Sequence, residues 1–438
     1  LQDSAKTAQF ANNLLIWLRK DWQVDKDKPA FPAGALLSVG LEEFAAKGCS
    51  STFKVLFEPS ATVSLDNFSA TKNYLVLETL DSVKSRLHFW HWKGDDIGWG
   101  ELVLEPEAVI RGAGVRAVDD DVGDEIFVST SSFTQPSTFY IANASDGAAC
   151  MTSAERLKSM PAFFNAEGLT SYQAEATSAD GTKVPYFVVC RKDLARDGST
   201  PTILYGYGGF EISMTPGYRA VTGAGWLEAG GCWCLACIRG GGEFGPAWHQ
   251  AALKENRQRA YDDFIAVAED LIDSGITSSD KLGIQGGSNG GLLVGNIMVQ
   301  RPDLLKAVQC AVPLLDMKRF SHLLAGASWM AEYGNPDTDD WKFMQRYSPY
   351  HNLSRTGDYP YLLMTTSTKD DRVHPYHARS FVRRLLDLGN EDKVFYYENI
   401  EGGHGGAADA KQQAYMSSLS TNFFKRVLGL EDPPSAQE

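Results

Sequence analysis

The sequence predicts a mostly parallel, doubly wound α/β sheet preceded by an all-β domain. Two patterns carry that expectation. Beyond about residue 165, short apolar runs alternate with segments of helical periodicity, as in a parallel sheet covered on both faces. Before about residue 160, β-type runs separated by turn-rich pieces dominate. The size agrees: 438 residues, 43% hydrophobic and 22% charged, are enough to bury a large core in more than one domain.

In the first part, strand character falls on Thr52–Phe57, Tyr74–Thr79, Ser85–Trp92, Glu125–Thr130 and Thr138–Ile141. Lys93-Gly-Asp-Asp96 and the acidic piece Asp119–Asp124 read as turns between them. No repeat is legible, so spacing alone fits a sandwich or a propeller. The acidic piece has the composition of a calcium loop, but a solvated loop is the simpler reading. His88–Trp92 reads as alternating strand packing. In the second part the strand-like runs are Val184–Cys190, Thr202–Tyr205, Cys232–Ile238, Leu282–Gln285, Tyr361–Thr365 and Val394–Tyr397. Helical runs occupy residues 256–274, 291–300, 377–388 and 408–428. In the first of these, Tyr261, Phe264, Ile265, Ala268, Leu271 and Ile272 recur at i, i+3, i+4 spacing. The acidic stretch 431–438, with Pro433-Pro434, reads as a frayed tail.

Charge and cysteine usage narrow the function. Lys+Arg 41 against Asp+Glu 55 gives a net charge of −14, which argues against a nucleic-acid binder or a polybasic membrane anchor. No apolar stretch reaches the roughly 18 residues of a spanning helix. The chain starts at Leu1 rather than Met, and we read it as a fragment or a processed form. Seven cysteines include the cluster Cys232, Cys234 and Cys237. An apolar strand explains that cluster better than a metal site, since no histidine or second cysteine pair stands nearby at zinc spacing. Reduced thiols favour a cytoplasmic location.

The chemistry concentrates at Gly286-Gly-Ser288-Asn-Gly-Gly291, a G-x-S-x-G sequence between a strand and a helix. That context makes a nucleophile elbow, a tight turn exposing the Ser288 hydroxyl at the end of a strand. A serine hydroxyl is a weak nucleophile and needs a base oriented by a carboxylate, here in the chain order Ser, Asp/Glu, His. Of His351, His374, His377 and His404, the last sits in the glycine-rich loop Glu401–Gly406 directly after a strand. Asp370 and Asp371 follow the strand Tyr361–Thr365, and spacing does not choose between them. An oxyanion hole is expected from the Asn289 N–H and from the glycine-rich turn Tyr205–Phe210. A phosphate loop is disfavoured, because no Gly-Lys-Ser/Thr follows.

Taken together, these motifs resemble the prolyl oligopeptidase family of serine peptidases. Tyr205–Phe210, Ile238–Glu243, Gly286–Gly291, Glu332-Tyr-Gly334, Ser348–Asn352, Asp370–Val373 and Gly403-His-Gly405 match its motifs in order. The resemblance implies an α/β-hydrolase domain over 161–430 and, over 1–160, the later blades of a β-propeller whose first blades and N-terminal segment are missing. It implies Ser288 as nucleophile, His404 as general base and Asp370 as the orienting acid. It further implies that the Tyr207 hydroxyl and the Asn289 N–H form the oxyanion hole. Arg372 would hold a substrate carbonyl, and Phe210, Trp329, Tyr333, Leu314 and Val373 would line the pocket for the residue before the cleaved bond. The flat Trp329 face and uncharged walls suit a proline ring. The expected activity is hydrolysis of short peptides after proline, by a monomer, with no metal or cofactor. The alternatives are an oligopeptidase B-like or acylaminoacyl-type peptidase, an esterase, or an inactive fragment. Glu332 separates the first of these poorly, because both branches can carry an acid there.

Overall fold

The computed structural model describes residues 3–102, 111–355 and 357–430. The tail read at 431–438 lies outside the described residues. The chain divides into two compact units. One comprises Leu1–Ala162 with Thr215–Tyr218 and Gly242–Gln250; the other holds the remainder.

The first unit is built from three four-stranded antiparallel sheets, each an up-and-down meander. The first runs β1 (Lys6–Phe10), β2 (Asn13–Trp17), β3 (Leu36–Gly40) and β4 (Lys54–Phe57). The second runs β5 (Val63–Ala70), β6 (Tyr74–Asp81), β7 (Lys84–Trp92) and β8 (Trp99–Glu101). The third runs β9 (Gly112–Ala117), β10 (Glu125–Ser131), β11 (Thr138–Asn143) and β12 (Glu155–Ser159). Successive meanders stacked face to face are the blades of a propeller, the one of the two all-β architectures that spacing left open. Period-two alternation gives each blade two apolar faces. Leu15, Trp17 and Leu36 of the first blade pack on Leu75, Leu77 and Trp90 of the second. The opposite side of the second blade, Val76, Leu87 and Phe89, meets Val115, Ile126 and Val128 of the third. The aromatic run His88–Trp92 is strand β7, as its alternation suggested. In the acidic turn the Asp119 carboxylate accepts from the N–H groups of Asp121 and Val122, and all three aspartates 119–121 are exposed.

The second unit holds an eight-stranded sheet of order β13-β14-β16-β15-β17-β18-β19-β20. Its strands are β13 (Leu169–Thr177), β14 (Lys183–Arg191), β15 (Thr202–Tyr205), β16 (Cys232–Ala236), β17 (Leu282–Gly287), β18 (Ala307–Ala311), β19 (Tyr361–Ser367) and β20 (Val394–Asn399). β13, β14 and β16 pair antiparallel; from β16 to β20 every neighbour is parallel. Among the described residues, four helices of twelve or more residues connect or flank them: α1 (Gln258–Asp273), α2 (Asn289–Gln300), α3 (Tyr376–Asp387) and α4 (Ala410–Leu428). Helix α1 buries Ala260, Tyr261, Phe264, Val267, Ala268 and Leu271, nearly the stripe that the periodicity predicts. Helix α4 is capped by the Asp409 side chain, which accepts from Gln412 N–H, and ends on Gly429 in the left-handed region. Cys232 and Cys234 lie in a fully buried strand, their sulfurs 3.7 Å apart, as the strand reading has it.

Several strands are missing from the sequence reading: β1–β3, β5, β8, β9, β12, β13 and β18. The last matters most, since β18 lies between β17 and β19 and separates the Ser288 strand from the Asp370 strand.

One buried carboxyl ties two blades. Glu78 on β6 is 6% exposed, accepts from the Asn67 amide and meets the Val115 N–H of the next blade. Burial, with a smaller push from Asp66, raises its pKa to about 7. A carboxyl raised on folding contributes stability below its unfolded pKa of about 4.5 and loses that contribution as pH rises through about 7. From pH 5 to pH 8 Glu78 should therefore cost up to about 3 kcal/mol of stability, opposing the buried His88 and His377, whose lowered pKa values add stability over the same window, and Glu78→Gln should remove that cost. Urea unfolding of both proteins at the two pH values checks it; an equal change for both contradicts it.

Candidate active site

Strand β17 runs into the turn Gly286–Ser288, and helix α2 starts at the next residue. Ser288 sits at φ 56°, ψ −118°, a region that side-chain-bearing residues rarely occupy. The turn is held from three sides. Ser288 N–H donates to Ala311 O on β18, and Ser288 O accepts from the N–H groups of Gly291 and Leu292. Gly286 is required by close approach, because a Cβ there would stand 2.2 Å from Gly290 O. This strained strand–turn–helix is the elbow expected from the motif.

The histidines separate by environment. His377 is buried, its Nδ1 accepts from the N–H groups of Leu315 and Asp316, and burial lowers its pKa to about 4. His374 Nδ1 accepts from Tyr376 N–H and His351 Nδ1 meets Ser348 Oγ. Of the four histidines after residue 350, His404 is the one hydrogen-bonded to a carboxylate: its Nδ1 is 2.8 Å from Asp370 Oδ2. Asp370, which meets His404, is buried, whereas Asp371 is exposed. The second Asp370 oxygen accepts from the N–H groups of Arg372 and Val373, both at 2.9 Å. The carboxylate is thereby fixed before it meets the imidazole. The loop bearing His404 is anchored at its base by Asn399 Oδ1, which accepts from Glu401 and Gly402 N–H, and by Ser367 Oγ, which donates to Gly406 O. His404 also borders a cavity of about 200 Å³ lined by Gln285, Gln309, Thr365 and Gln413. Among the described residues the Ser288 hydroxyl has no hydrogen-bond partner, so Asp370 and His404 are joined while Ser288 stands unlinked; such bonds commonly close only with substrate.

Asn289 opens helix α2, where the first N–H groups have no intrahelical acceptor. Its side chain is buried and turned away: Nδ2 donates to Tyr207 O at 2.6 Å, and Oδ1 accepts from Arg257 and Tyr333, each at 2.7 Å. The Tyr207 hydroxyl has no partner among the described residues. Burial, reinforced by Tyr205, raises its pKa, so it remains a donor at neutral pH.

Of the expected pocket residues, Leu314, Val373 and Tyr333 are buried in the main core, and Phe210 and Trp329 pack against it half-buried. Phe210 and Tyr333 meet edge to face at 5.8 Å. Arg372 is exposed, and its carbonyl accepts from Ala325 N–H, joining its loop to the segment that leads to Trp329. Sequence reasoning missed Arg257. It is fully buried and joins Glu332, Gly208 and Asn289. Its only sequence signal is a charge at a helix start, which is too common to be informative.

Residues 221–431 match the model of the prolyl oligopeptidase family, and residues 12–154 match that of the prolyl oligopeptidase N-terminal β-propeller domain. The chain belongs to the prolyl oligopeptidase family. Its two parts are accordingly an α/β-hydrolase domain and blades of the family's N-terminal β-propeller domain. It is 47% identical over 414 residues to an uncharacterised peptidase of Sinorhizobium fredii, covering 94% of this chain and 55% of that one. It is 35% identical over 336 residues to a prolyl endopeptidase of Elizabethkingia miricola, covering 76% and 47%. A solved post-proline cleaving enzyme from Rickettsia typhi superposes with TM-score 0.89 at 36% identity, covering 98% of this chain and 61% of that one. The chain thus spans about half the length of the curated relatives it matches. No helix of the described residues is long and apolar enough to cross a membrane.

Gly286→Ala should cost about 3 kcal/mol, the upper end for an overpacked site, because the new methyl meets backbone rather than a movable side chain. Thermal unfolding and fluorophosphonate labelling should both fall; wild-type values for both would contradict the close approach.

Proposed function

We propose that this chain carries the catalytic domain of a serine endopeptidase that hydrolyses short peptides on the carboxyl side of proline. In this reading residues 161–430 perform the chemistry and residues 1–160 supply later blades of the propeller. The single observation that carries it is the Asp370–His404 pair at 2.8 Å, borne on the loops after β19 and β20 of the sheet whose strand β17 leads into the Ser288 elbow.

In the proposed mechanism His404 Nε2 takes the Ser288 proton as Oγ attacks the prolyl carbonyl. Asp370 holds the Nδ1–H and stabilises the imidazolium. The Asn289 N–H and the Tyr207 hydroxyl receive the negative charge on the carbonyl oxygen. His404 then gives its proton to the leaving amine, and a water molecule, activated by the same imidazole, releases the acyl group from Ser288. Arg372 would hold a carbonyl of the bound peptide.

Proline specificity is supported by the charge balance of the pocket. Glu332 is the acid beside Phe210, Trp329 and Tyr333, and it is 3.1 Å from the buried Arg257 guanidinium. A carboxylate so paired is a poor counter-ion for a substrate lysine or arginine, whereas Trp329 and Phe210 offer apolar faces to a ring. The names of the Elizabethkingia and Rickettsia relatives point the same way.

A pair of fluorogenic peptides ending in Gly-Pro or in Arg before the reporter tests this. Cleavage after Pro, abolished in Ser288→Ala and reduced about 10²–10³-fold in Tyr207→Phe, is expected. Cleavage only after Arg would retain the serine chemistry and overturn the specificity. Undiminished turnover by Ser288→Ala would overturn the mechanism.

A further inference from the structure

We propose that Arg257 is a positioning residue for the oxyanion site, setting where the Asn289 N–H stands relative to the Tyr207–Phe210 turn. The proposal rests on the reading of Ser288 as nucleophile. Arg257 immediately precedes helix α1 and is 0% exposed. A guanidinium taken out of water is costly unless its donors are answered, and an apolar side chain of similar length would fill the space without that penalty. What Arg257 gains in return is directional. Nη2 donates both to Gly208 O and to Asn289 Oδ1, each at 2.7 Å. Nη1 donates to Glu332 Oε1 at 3.1 Å, and that same oxygen accepts from the Phe210 N–H at 3.0 Å. The Tyr261 and Tyr333 rings flank the cation at 5.8 and 5.4 Å.

These acceptors are not scattered through the core. They belong to the two segments that carry the proposed oxyanion donors and to the short helix Met330–Tyr333 beside the pocket. The Asn289 amide closes the ring by donating to Tyr207 O. It fits there because residue 209 is glycine; a Cβ at that position would lie 2.5 Å from Asn289 Nδ2. With Oδ1 held by Arg257 and Tyr333 and Nδ2 held by Tyr207 O, the Asn289 side chain has one orientation. Its own peptide N–H is then fixed against the turn that presents the Tyr207 hydroxyl. Arg257 makes no hydrogen bond to Ser288 among the described contacts, so its proposed effect on the reaction passes through Asn289, Gly208 and Glu332.

The test compares wild type, Arg257→Lys, Arg257→Met and the doubly substituted Arg257→Met/Glu332→Gln. The last avoids burying a carboxylate without its guanidinium, and the lysine variant keeps the charge and most of the packing. Ser288→Ala serves as control. With the Gly-Pro substrate, kcat and kcat/KM should fall together by about 10² in the double variant, as expected for a contact that matters in the transition state. KM should stay within about threefold, and the lysine variant should recover part of the loss. The decisive measurement adds Tyr207→Phe to each background. If both residues act on one oxyanion, the loss from Tyr207→Phe should shrink at least tenfold when Arg257 is absent.

A folded double variant with kcat near wild type overturns the proposal, as does a Tyr207→Phe loss that multiplies in full. A loss confined to KM or to thermal stability also overturns it, by making Arg257 a packing residue. A wild type that reacts no faster than Ser288→Ala overturns instead the nucleophile assignment on which the proposal rests.

Discussion

A serine held at positive φ is the constraint on which the hydrolase unit depends. Such a conformation costs on the order of 1–3 kcal/mol and persists only where the surroundings over-determine it. They do so here through parallel pairing. β17 lies between β15 and β18, and the Ala311 carbonyl that receives the Ser288 N–H is the last residue of β18. The helix that follows supplies the compensating energy. Leu292, Leu293, Val294, Ile297 and Met298 are all buried, and each contributes about 1.5–3 kcal/mol. The strain also has a use: it lifts the hydroxyl off the end of the sheet, while the first N–H of α2 remains without an intrahelical acceptor.

Two buried arginines show how the same unit handles charge. Arg239 makes a two-pronged ion pair with Asp263, through Nε and Nη2, and adds Asp180 at the rim. That arrangement links the β16 end to helix α1 and involves no residue of the candidate site. Arg257 is bound differently, with two of its three acceptors being neutral oxygens of the segments around Ser288. Buried pairs rarely add net stability over apolar packing. Geometry is therefore the more economical account of Arg257, whereas tying α1 to the sheet is sufficient for Arg239.

What could be read from the sequence was what is local. The elbow is encoded in six consecutive residues, and its strand and helix flank it directly. The helices α1, α3 and α4 show their amphipathic faces within single segments. Strand β18 escaped notice because Ala307-Val-Gln-Cys-Ala311 is short and carries a glutamine in its middle. That glutamine lies in the sheet opposite Gln285 on one side and Leu363 on the other, and its amide reaches Thr365. Two of the blades' strands were missed for another reason. Strand β12 is exposed along its whole length and β1 along most of it, so neither shows an apolar alternation. Propeller blades are recognised by their pairing, which a single sequence does not display. The choice between Asp370 and Asp371 likewise turns on burial, and Arg257 becomes visible only when residues 208, 257, 289 and 332 are brought together in space.

Tyr333 connects the two halves of the proposed chemistry. Its ring packs edge to face on Phe210, a wall of the pocket, and on Phe320 behind it. Its hydroxyl donates to Asn289 Oδ1, and its own carbonyl accepts from Tyr347 OH. The residue is thus held at both ends in a close-packed core, where small displacements are transmitted rather than absorbed. A ring seated against Phe210 presses on the same tyrosine that orients Asn289. In the proposed mechanism, binding energy from the side chain before the scissile bond would then have a short physical route to the Asn289 N–H, the donor proposed to act in the transition state. Such a route is what allows binding of a non-reacting group to appear in kcat rather than in KM alone. In the proposed reading the pocket and the oxyanion site are two surfaces of one close-packed cluster, and a change in either wall should be felt in the other.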